Sequence, residues 1–399
     1  MHRKGKQTNG LASSMKLIHA ADIHLDTCFA DPRLPVDYGV RRRRQLRESF
    51  AAMLRHAWEG RFDAVLLAGD LFDRKYVTWE TIVFLREQLE RIAPIPVLIS
   101  PGNRDPYTAD SPYHLEAWPE NVVIFDHPEW EAWDHPDIPL TIHGFGFNAK
   151  DVPGEIFCRL KLPRKDRVQV AMAHGAERDF LPPDHKPRGL FSLTDILQPG
   201  LSYLALGHVH RVLPLFDDDQ CQAWYAGPLE GHDFDETGPT GFLEVTITPQ
   251  ENRPASVAVQ PFAASPRVYH YISLAITEKA EEAIEALDKI ENPQHAVVCM
   301  HLTGVVTAET RRELRKIVHH KAAQFAWLAL EDSMETLEDY SAIAREDTVL
   351  GELVRRLIQA RQDTTDPEQI ARLSYCLEAG TAAFLGRPLP AGALDGGIG

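Results

Sequence analysis

Apolar residues along the chain fall into short runs of strand length, and the first of these runs are separated by stretches with helical spacing. Residues 16–20 read as a first strand. Residues 41–58 place Leu46, Phe50, Met53, Leu54 and Ala57 on one helical face and lead into residues 64–68, five small or apolar residues that predict a fully buried strand. Residues 78–92 repeat the helical pattern through Ile82, Leu85, Leu89 and Ile92, until Pro94 and Pro96 break it before a strand at 97–99. Two helical crossovers between three strands predict a sheet of the α/β class. Further strand-length runs occur at 121–125, 140–147, 167–173 and 203–206. From 224 to 247 the text turns to alternating strands with Gly and Pro turns, which predicts the antiparallel closing edge of a second sheet.

The pattern changes near Phe262. Residues 268–276, 280–290, 296–302, 308–321 and 327–331 read as strand, helix, strand, helix, strand, a smaller α+β domain over 263–340. The rest, 341–399, is helical at first. Leu350, Leu353 and Leu357 share one face, and Asp366, Pro367 and Gln369 start a second helix striped by Ile370, Leu373 and Leu377. Residues 1–14 are polar and aperiodic and read as a disordered leader, so the main domain runs over 15–262. The tail after Gly386 reads as loose.

Charge narrows the function. A formal net charge of −16 argues against a broad surface that coats nucleic acid. Local basic tracks remain open at Arg41, Arg42, Arg43, Arg44 and Arg47, at Lys161, Arg164, Lys165 and Arg167, and at Arg311, Arg312, Arg315 and Lys316. For any one of them a solvated face is the blander and preferred reading. Five scattered cysteines without a CxxC pair indicate neither a disulfide framework nor a thiolate zinc site. No apolar segment follows the basic start and no run is long enough to span a bilayer, so the expectation is a cytoplasmic protein with no membrane partner.

The candidate chemistry sits at strand ends. Asp70 follows the buried strand 64–68 across Gly69, at the edge where open α/β sheets bind ligands. Asp22 and His24 follow the first strand, on the same side of an extended chain; Asn103 follows the third. His174 ends one later run, and His208 and His210 end another. Singly, each such residue is more often a loop or turn former. Together they are a mixed carboxylate, imidazole and amide set that suits Mn, Fe or Zn better than Mg or Ca.

Asp22-x-His24, Gly69-Asp70-x-x-Asp73, Gly102-Asn103-x-Asp105, His174 and Gly207-His208-x-His210 stand in an order that resembles the calcineurin-like metallophosphoesterases. Residues 18–26, 207–210, 225–228 and 234–236 narrow the likeness to the bacterial SbcD and YhaO type of DNA repair exonuclease. The resemblance implies a four-layer sandwich of two mixed β-sheets flanked by helices, followed by the α+β domain as a DNA-facing cap and by helices that dock an SbcC-like coiled-coil ATPase. It also leaves room for a homodimer. It implies two divalent ions, manganese first with iron or zinc as alternatives. One would be held by Asp22, His24, Asp70 and His210, the other by Asp70, Asn103, His174 and His208, with Asp70 bridging. The implied reaction is in-line attack on phosphorus by a hydroxide that both metals activate.

One position departs from the family. Where the pattern carries a histidine between Asn and an acid, this chain has Gly102-Asn103-Arg104-Asp105. Arginine can clamp a phosphate but cannot act as a general acid near neutral pH. Arg104, Asp105 and Asp73 are therefore read as the catalytic candidates beside the metals, with His143, His232 and His270 as substitutes for the missing acid. The blander reading pairs Arg104 with Asp105 and leaves activity weak. Three functions follow: a metal-dependent DNA exonuclease subunit, a phosphomonoesterase or small-molecule phosphodiesterase, and a weakly active or non-catalytic metal-binding partner of the ATPase.

Overall fold

The seven strands and two helices expected between residues 16 and 206 all form, within a few residues of their expected ends. The computed structural model describes residues 13–386 apart from 36, 150–155, 165, 179–188, 197–198, 218–220, 252 and 278–280. Most of the expected leader, the tail after Gly386, and Lys165 lie outside the described residues.

Two bodies divide the chain. The first comprises 1–272, 290–300 and 322–329, and the second 273–289, 301–321 and 330–399. The first begins with β1 (Met15–Ala20), α1 (Tyr38–Glu59), β2 (Ala64–Leu67), α2 (Trp79–Arg91), β3 (Val97–Ile99) and β4 (Val122–Ile124). It continues through β5 (Trp130–Asp134), β6 (Leu140–Phe145), β7 (Val168–His174), α3 (Leu193–Ile196), β8 (Leu201–Gly207), β9 (Leu213–Asp217) and β10 (Gln222–Tyr225) to β11 (Gly241–Gln250) and β12 (Arg253–Ala263). These strands form two six-stranded mixed sheets, ordered β12-β11-β1-β2-β3-β4 and β5-β6-β7-β8-β10-β9.

Alternation inside the strands sets the layers. Ile18, Ala20, Val65 and Leu67 face outward to Leu46, Phe50, Met53 and Leu54 of α1 and to Ile82, Leu85 and Leu89 of α2. Leu17, Leu66 and Leu98 face the other way, onto Ile142, Val170, Met172 and Tyr203 of the second sheet. The second sheet's far side, with Ala171, Ala173, Leu204 and Leu206, is covered by Phe157, Phe191 and Ile196. Each fully buried Leu or Phe contributes about 1.5–3 kcal/mol, so a one-residue slip of any central strand would forfeit several such terms. α2 is started by Thr78, whose hydroxyl accepts the Thr81 N–H.

The antiparallel segment expected to close a second sheet divides instead. β10 joins the second sheet, but β11 pairs with β1 and closes the first. The alternation of Phe242 against Leu243, Val245 and Ile247 fits an inner position in either sheet, so pattern alone could not choose. β1, β2 and β3 are mutually parallel, as are β7 and β8, so the ends that carry the candidate ligands lie at the C-terminal edge of each sheet.

The remaining elements are β13 (Val268–Ala275), α4 (Glu281–Asp288), β14 (Ala296–Thr303), β15 (Val305–Thr307), α5 (Ala308–Lys321), β16 (Trp327–Asp332), β17 (Glu335–Leu337), α6 (Tyr340–Ile343), α7 (Val349–Gln362) and α8 (Pro367–Phe384). β13, β14 and β16 form a three-stranded sheet. In the second body α7 and α8 pack on each other. Val354 and Leu377 are buried while Leu350, Leu353, Leu357, Ile370 and Leu373 are half-buried. No helix among the described residues is long and apolar enough to cross a membrane.

Candidate metal centre

The chain leaves β1 and β2 side by side and the two loops stay laced together. Asp22 N–H donates to the Gly69 carbonyl at 3.1 Å, His24 N–H to that of Asp70 at 2.9 Å and Leu25 N–H to that of Leu71 at 3.0 Å. To turn while paired, the backbone goes left-handed at Asp22 (φ 50°), His24 (φ 48°), Gly69 (φ 89°) and Asp70 (φ 52°), and His208 sits at φ 101°. Such backbone costs about 1–3 kcal/mol per non-glycine residue and concentrates at functional sites. Gly69 is required twice over, since a Cβ there would also collide with the His174 ring.

The two sheets bring their ligands to one point. Asp22 accepts the His208 N–H on both carboxylate oxygens at 3.0 Å, and its Oδ1 is 3.7 Å from His210 Nε2. His24 Nε2 lies 3.3 Å from His210 Nε2 and 3.8 Å from Asp70 Oδ2. On the other side His174 Nε2 is 3.1 Å from Asn103 Oδ1, 3.4 Å from Asp70 Oδ2 and 3.2 Å from His208 Nδ1. All seven sequence-predicted ligands therefore converge, and Asp70 stands between two groups of donors.

The donor chemistry fits a divalent cation. His174 Nδ1 faces the Ala68 carbonyl at 3.2 Å, where it donates its proton, so Nε2 presents a lone pair to the Asn103 and Asp70 oxygens. Facing lone pairs on buried atoms repel unless a cation lies between them. Burial keeps His174 below its usual pKa, and burial with the charges of His232 and His210 keeps His24 well below its own; both are neutral and ready to ligate. Burial raises Asp70 to about 6, against the Arg104 N–H at 2.8 Å and the charges of His210 and Arg104, which pull it down.

His210 differs. Burial opposes its charge, but a hydrogen bond from Nδ1 to Glu236 and the carboxylates of Asp22, Glu236 and Asp70 outweigh burial and raise it to about 9. Glu236 is itself buried and spans two histidines, with Oε2 accepting His232 Nδ1 and the His232 N–H at 2.8 Å each. Burial would raise Glu236, yet His232 and His210 hold it well below the usual carboxylate range. The His232 ring packs edge-on to His24 at 5.3 Å and lies 6.0 Å from His210. Glu236 was not singled out as a site residue from sequence; its only signal was its place in the 234–236 stretch that carries the family likeness.

The catalytic candidates divide. Arg104 is exposed, and among the described residues its guanidinium has no hydrogen-bond or ion-pair partner. It does not pair with Asp105, which is fully buried and accepts the N–H groups of Asp70 (3.1 Å), Leu71 (2.8 Å) and Gly102 (2.7 Å) and the Tyr113 hydroxyl (2.8 Å). Burial and the Asp70 charge raise Asp105 to about 6. Asp73 accepts the Lys75 N–H at 3.3 Å inside a turn. Both carboxylates are thus engaged with the backbone of the loops. Among the substitutes for the missing acid, His143 bonds Gln169 at 2.7 Å within the second sheet, whereas His232 stands beside the ligands.

Two comparisons bear on this geometry. The Calcineurin-like phosphoesterase family matches residues 15–212. The uncharacterized metallophosphoesterase YhaO of Bacillus subtilis (strain 168) is 29% identical over 248 residues, and the match covers 60% of this chain and 59% of that relative. The chain thus spans about three fifths of the length of the curated relative it matches. The matched residues contain all seven converging ligands, and over them the chain is similar to the calcineurin-like phosphoesterases, which supports a metal-dependent phosphoester hydrolase; β9 to β12, which complete the two mixed sheets, lie beyond the family match.

Proposed function

We propose that this chain is a divalent-metal-dependent phosphodiesterase that cuts DNA, as an exonuclease of the SbcD and YhaO type. The observation that carries the hydrolase reading is the convergence of two groups of donors on Asp70, with the lone pair of His174 facing the Asn103 and Asp70 oxygens. Asp22, His24, Asp70 and His210 would hold one ion and Asp70, Asn103, His174 and His208 the other, manganese first, with iron or zinc as alternatives to be told apart by elemental analysis. Bound there, the ions supply Lewis-acid charge for phosphoryl oxygens and a nucleophile at neutral pH.

The remaining work falls to the chain's own residues. The Arg104 and His208 N–H groups fix the carboxylates of Asp70 and Asp22, Glu236 fixes the His210 ring, and Asp105 ties the loop that carries Asp70 to the one that carries Asn103. The free Arg104 guanidinium at the rim is suited to clamp a non-bridging phosphate oxygen. The DNA substrate is supported by the family likeness over 18–26, 207–210 and 225–236 and by chain beyond the catalytic domain that a lone phosphatase does not need. The half-buried stripes of α7 and α8 support docking of an SbcC-like ATPase.

The net charge of −16 favours a second reading, a phosphatase of small phosphoesters. One assay separates the two: labelled single- and double-stranded DNA with manganese, beside nitrophenyl phosphodiester and monoester. Metal-dependent shortening of DNA from its ends, with the diester turned over faster than the monoester, is expected. Rapid monoester hydrolysis with DNA left intact would overturn the nuclease reading.

A further inference from the structure

Three basic tracks stand out in the sequence, and in two of them a pair of arginines shares one aspartate. Arg164 and Arg167 face Asp134 at 2.9 and 3.6 Å, and Arg311 and Arg315 share Asp332 at 2.9 and 2.7 Å. On α1, Arg47 is taken by Asp26 at 3.0 Å and Arg42 by Glu230 at 2.8 Å. What is left of α1 lines a cleft of about 430 Å³, the size of a small-ligand site, with Arg41, Arg42, Arg44 and Gln45 on one wall and Arg267 on another. Glu48 is its one acidic lining residue.

The polar groups of this cleft are incompletely satisfied. The Nε–H of Arg42 and that of Arg267 are both buried and have no acceptor among the described residues. Among the described residues the Arg267 guanidinium makes no ion pair, and its backbone N–H is engaged by Ser265. Arg41 pairs with Asp37, and Arg44 stands 3.9 Å from Glu48, but both pairs lie on open surface, where such pairing is weak and exchanges readily. With Arg42 held by Glu230 and Arg41 and Arg44 only in exposed pairs, the buried Nε–H of Arg42 and that of Arg267 remain unmatched, and donors of this kind suit an oxyanion ligand.

The cleft is also tied to the metal centre. The Arg42 guanidinium lies over the Phe29 ring at 5.4 Å, Phe29 lies 5.6 Å from the His232 ring, and His232 packs on His24. Three successive contacts between buried side chains thus separate Arg42 from the first group of ligands, so the straight-line span is no longer than a few nucleotides of an extended strand. We propose that the cleft between Arg44 and Arg267 binds a backbone phosphate of a nucleic-acid strand whose scissile phosphate lies at the metal centre. The inference rests on the nucleic-acid reading above. It names a second contact point, on α1, that sets affinity and does not touch the reacting atoms.

The test uses the full chain in chelator, so that nothing is cut, with a short fluorescent single-stranded oligonucleotide titrated at several salt concentrations. Arg44→Gln and Arg267→Gln should each weaken binding to all sequences alike and reduce the slope of log affinity against log salt by about 0.7, the loss of one single-strand phosphate contact. Arg55→Gln, an exposed arginine on the same helix outside the cleft, should change neither, and all three variants should keep their melting temperature and their manganese-dependent turnover of a small chromogenic diester. Unchanged slopes in the Arg44 and Arg267 variants, or equal loss in Arg55→Gln, would overturn the cleft. So would displacement of the oligonucleotide by equimolar pyrophosphate or by phosphatidylserine vesicles, which would give the cleft to small phosphates or to lipid. A chain that digests DNA with unchanged slopes keeps the proposed function and loses the cleft. A chain that binds DNA through Arg267 and digests none does the reverse.

Discussion

Replacing Glu236 by Gln makes the sharpest demand on the site as described, because it sets two effects of known sign against each other. Glu236 holds the His210 ring by Nδ1, and loss of such a carboxylate partner typically costs ~10–100-fold in metal affinity. The same carboxylate helps raise His210 to about 9, so in the metal-free protein a proton must leave Nε2 or Nδ1 before the ring can serve. At pH 7 that proton weakens metal binding by about two pKa units, roughly 2.7 kcal/mol or 100-fold. In the variant the Glu236 charge is gone and a neutral amide oxygen accepts the Nδ1 proton more weakly, so burial pulls His210 down against Asp22 and Asp70 alone and the proton competes less. The two changes nearly cancel at pH 7. At about pH 9.5 the wild-type ring is already neutral, and the full ~10–100-fold deficit of the variant should emerge. Competition of stripped protein with a chromogenic chelator for manganese or zinc reads both curves: the wild type should gain about tenfold per pH unit up to about 9 and then level off, and the variant should stay flatter. Parallel curves for the two proteins across this range would refute the account of Glu236.

Other outcomes follow from the same geometry. Asp70→Asn should cost the protein both metal equivalents together, since Asp70 serves both donor groups; elemental analysis showing two equivalents retained would contradict the shared carboxylate. Arg104→His should raise cleavage of DNA, whose leaving alkoxide needs a proton, more than hydrolysis of a nitrophenyl diester, by a share of the ~10²–10⁴-fold that general acids supply; an unchanged ratio would point to His232 or another group as the acid. His19 is buried between Tyr203 and Leu206, and burial, against the Leu206 carbonyl bond, lowers it to about 3. The unfolded chain therefore takes up that proton first, so stability is whole above pH ~6.5 and falls by about 1.4 kcal/mol per unit as pH drops toward 3. Denaturation midpoints near pH 4.5 should show His19→Gln losing about 2–3 kcal/mol less than wild type relative to pH 7, and an equal loss would refute it. Deletion from Asp347 onward should leave a folded enzyme that no longer captures an SbcC-like ATPase, whereas aggregation on deletion would make α7 and α8 part of a core.

The ligands were legible because each follows a strand directly, and a parallel sheet sends every such end to one edge. His174 and His208 end or abut β7 and β8, and Asp22 and Asp70 follow strands whose parallel register pairs Ala20 with Leu67. What could not be read were relations across long sequence separations. Asp105 looked like a catalytic neighbour of Arg104, but three N–H groups from two loops draw it inward. Nothing local told that Glu236 would meet His210, 26 residues earlier, or that Arg42 and Arg47 would be consumed by Glu230 and Asp26 while Arg44 was not. β11 was placed in the wrong sheet because its alternation is the same in either.

The left-handed turns at Asp22, His24, Asp70 and His208 also restrict what this site can become. Besides glycine, the residues that adopt such backbone most readily are Asn, Asp and His, each with a short side chain that can ligate. Glutamate and cysteine are less favoured there, so a single codon change can exchange one oxygen or imidazole donor for another but does not readily introduce a thiolate. The range of metals open to descendants of this protein is thereby narrowed by four φ angles, before any selection on affinity: mutation can tune it among borderline ions, while soft, sulfur-bound ones stay behind a conformational barrier.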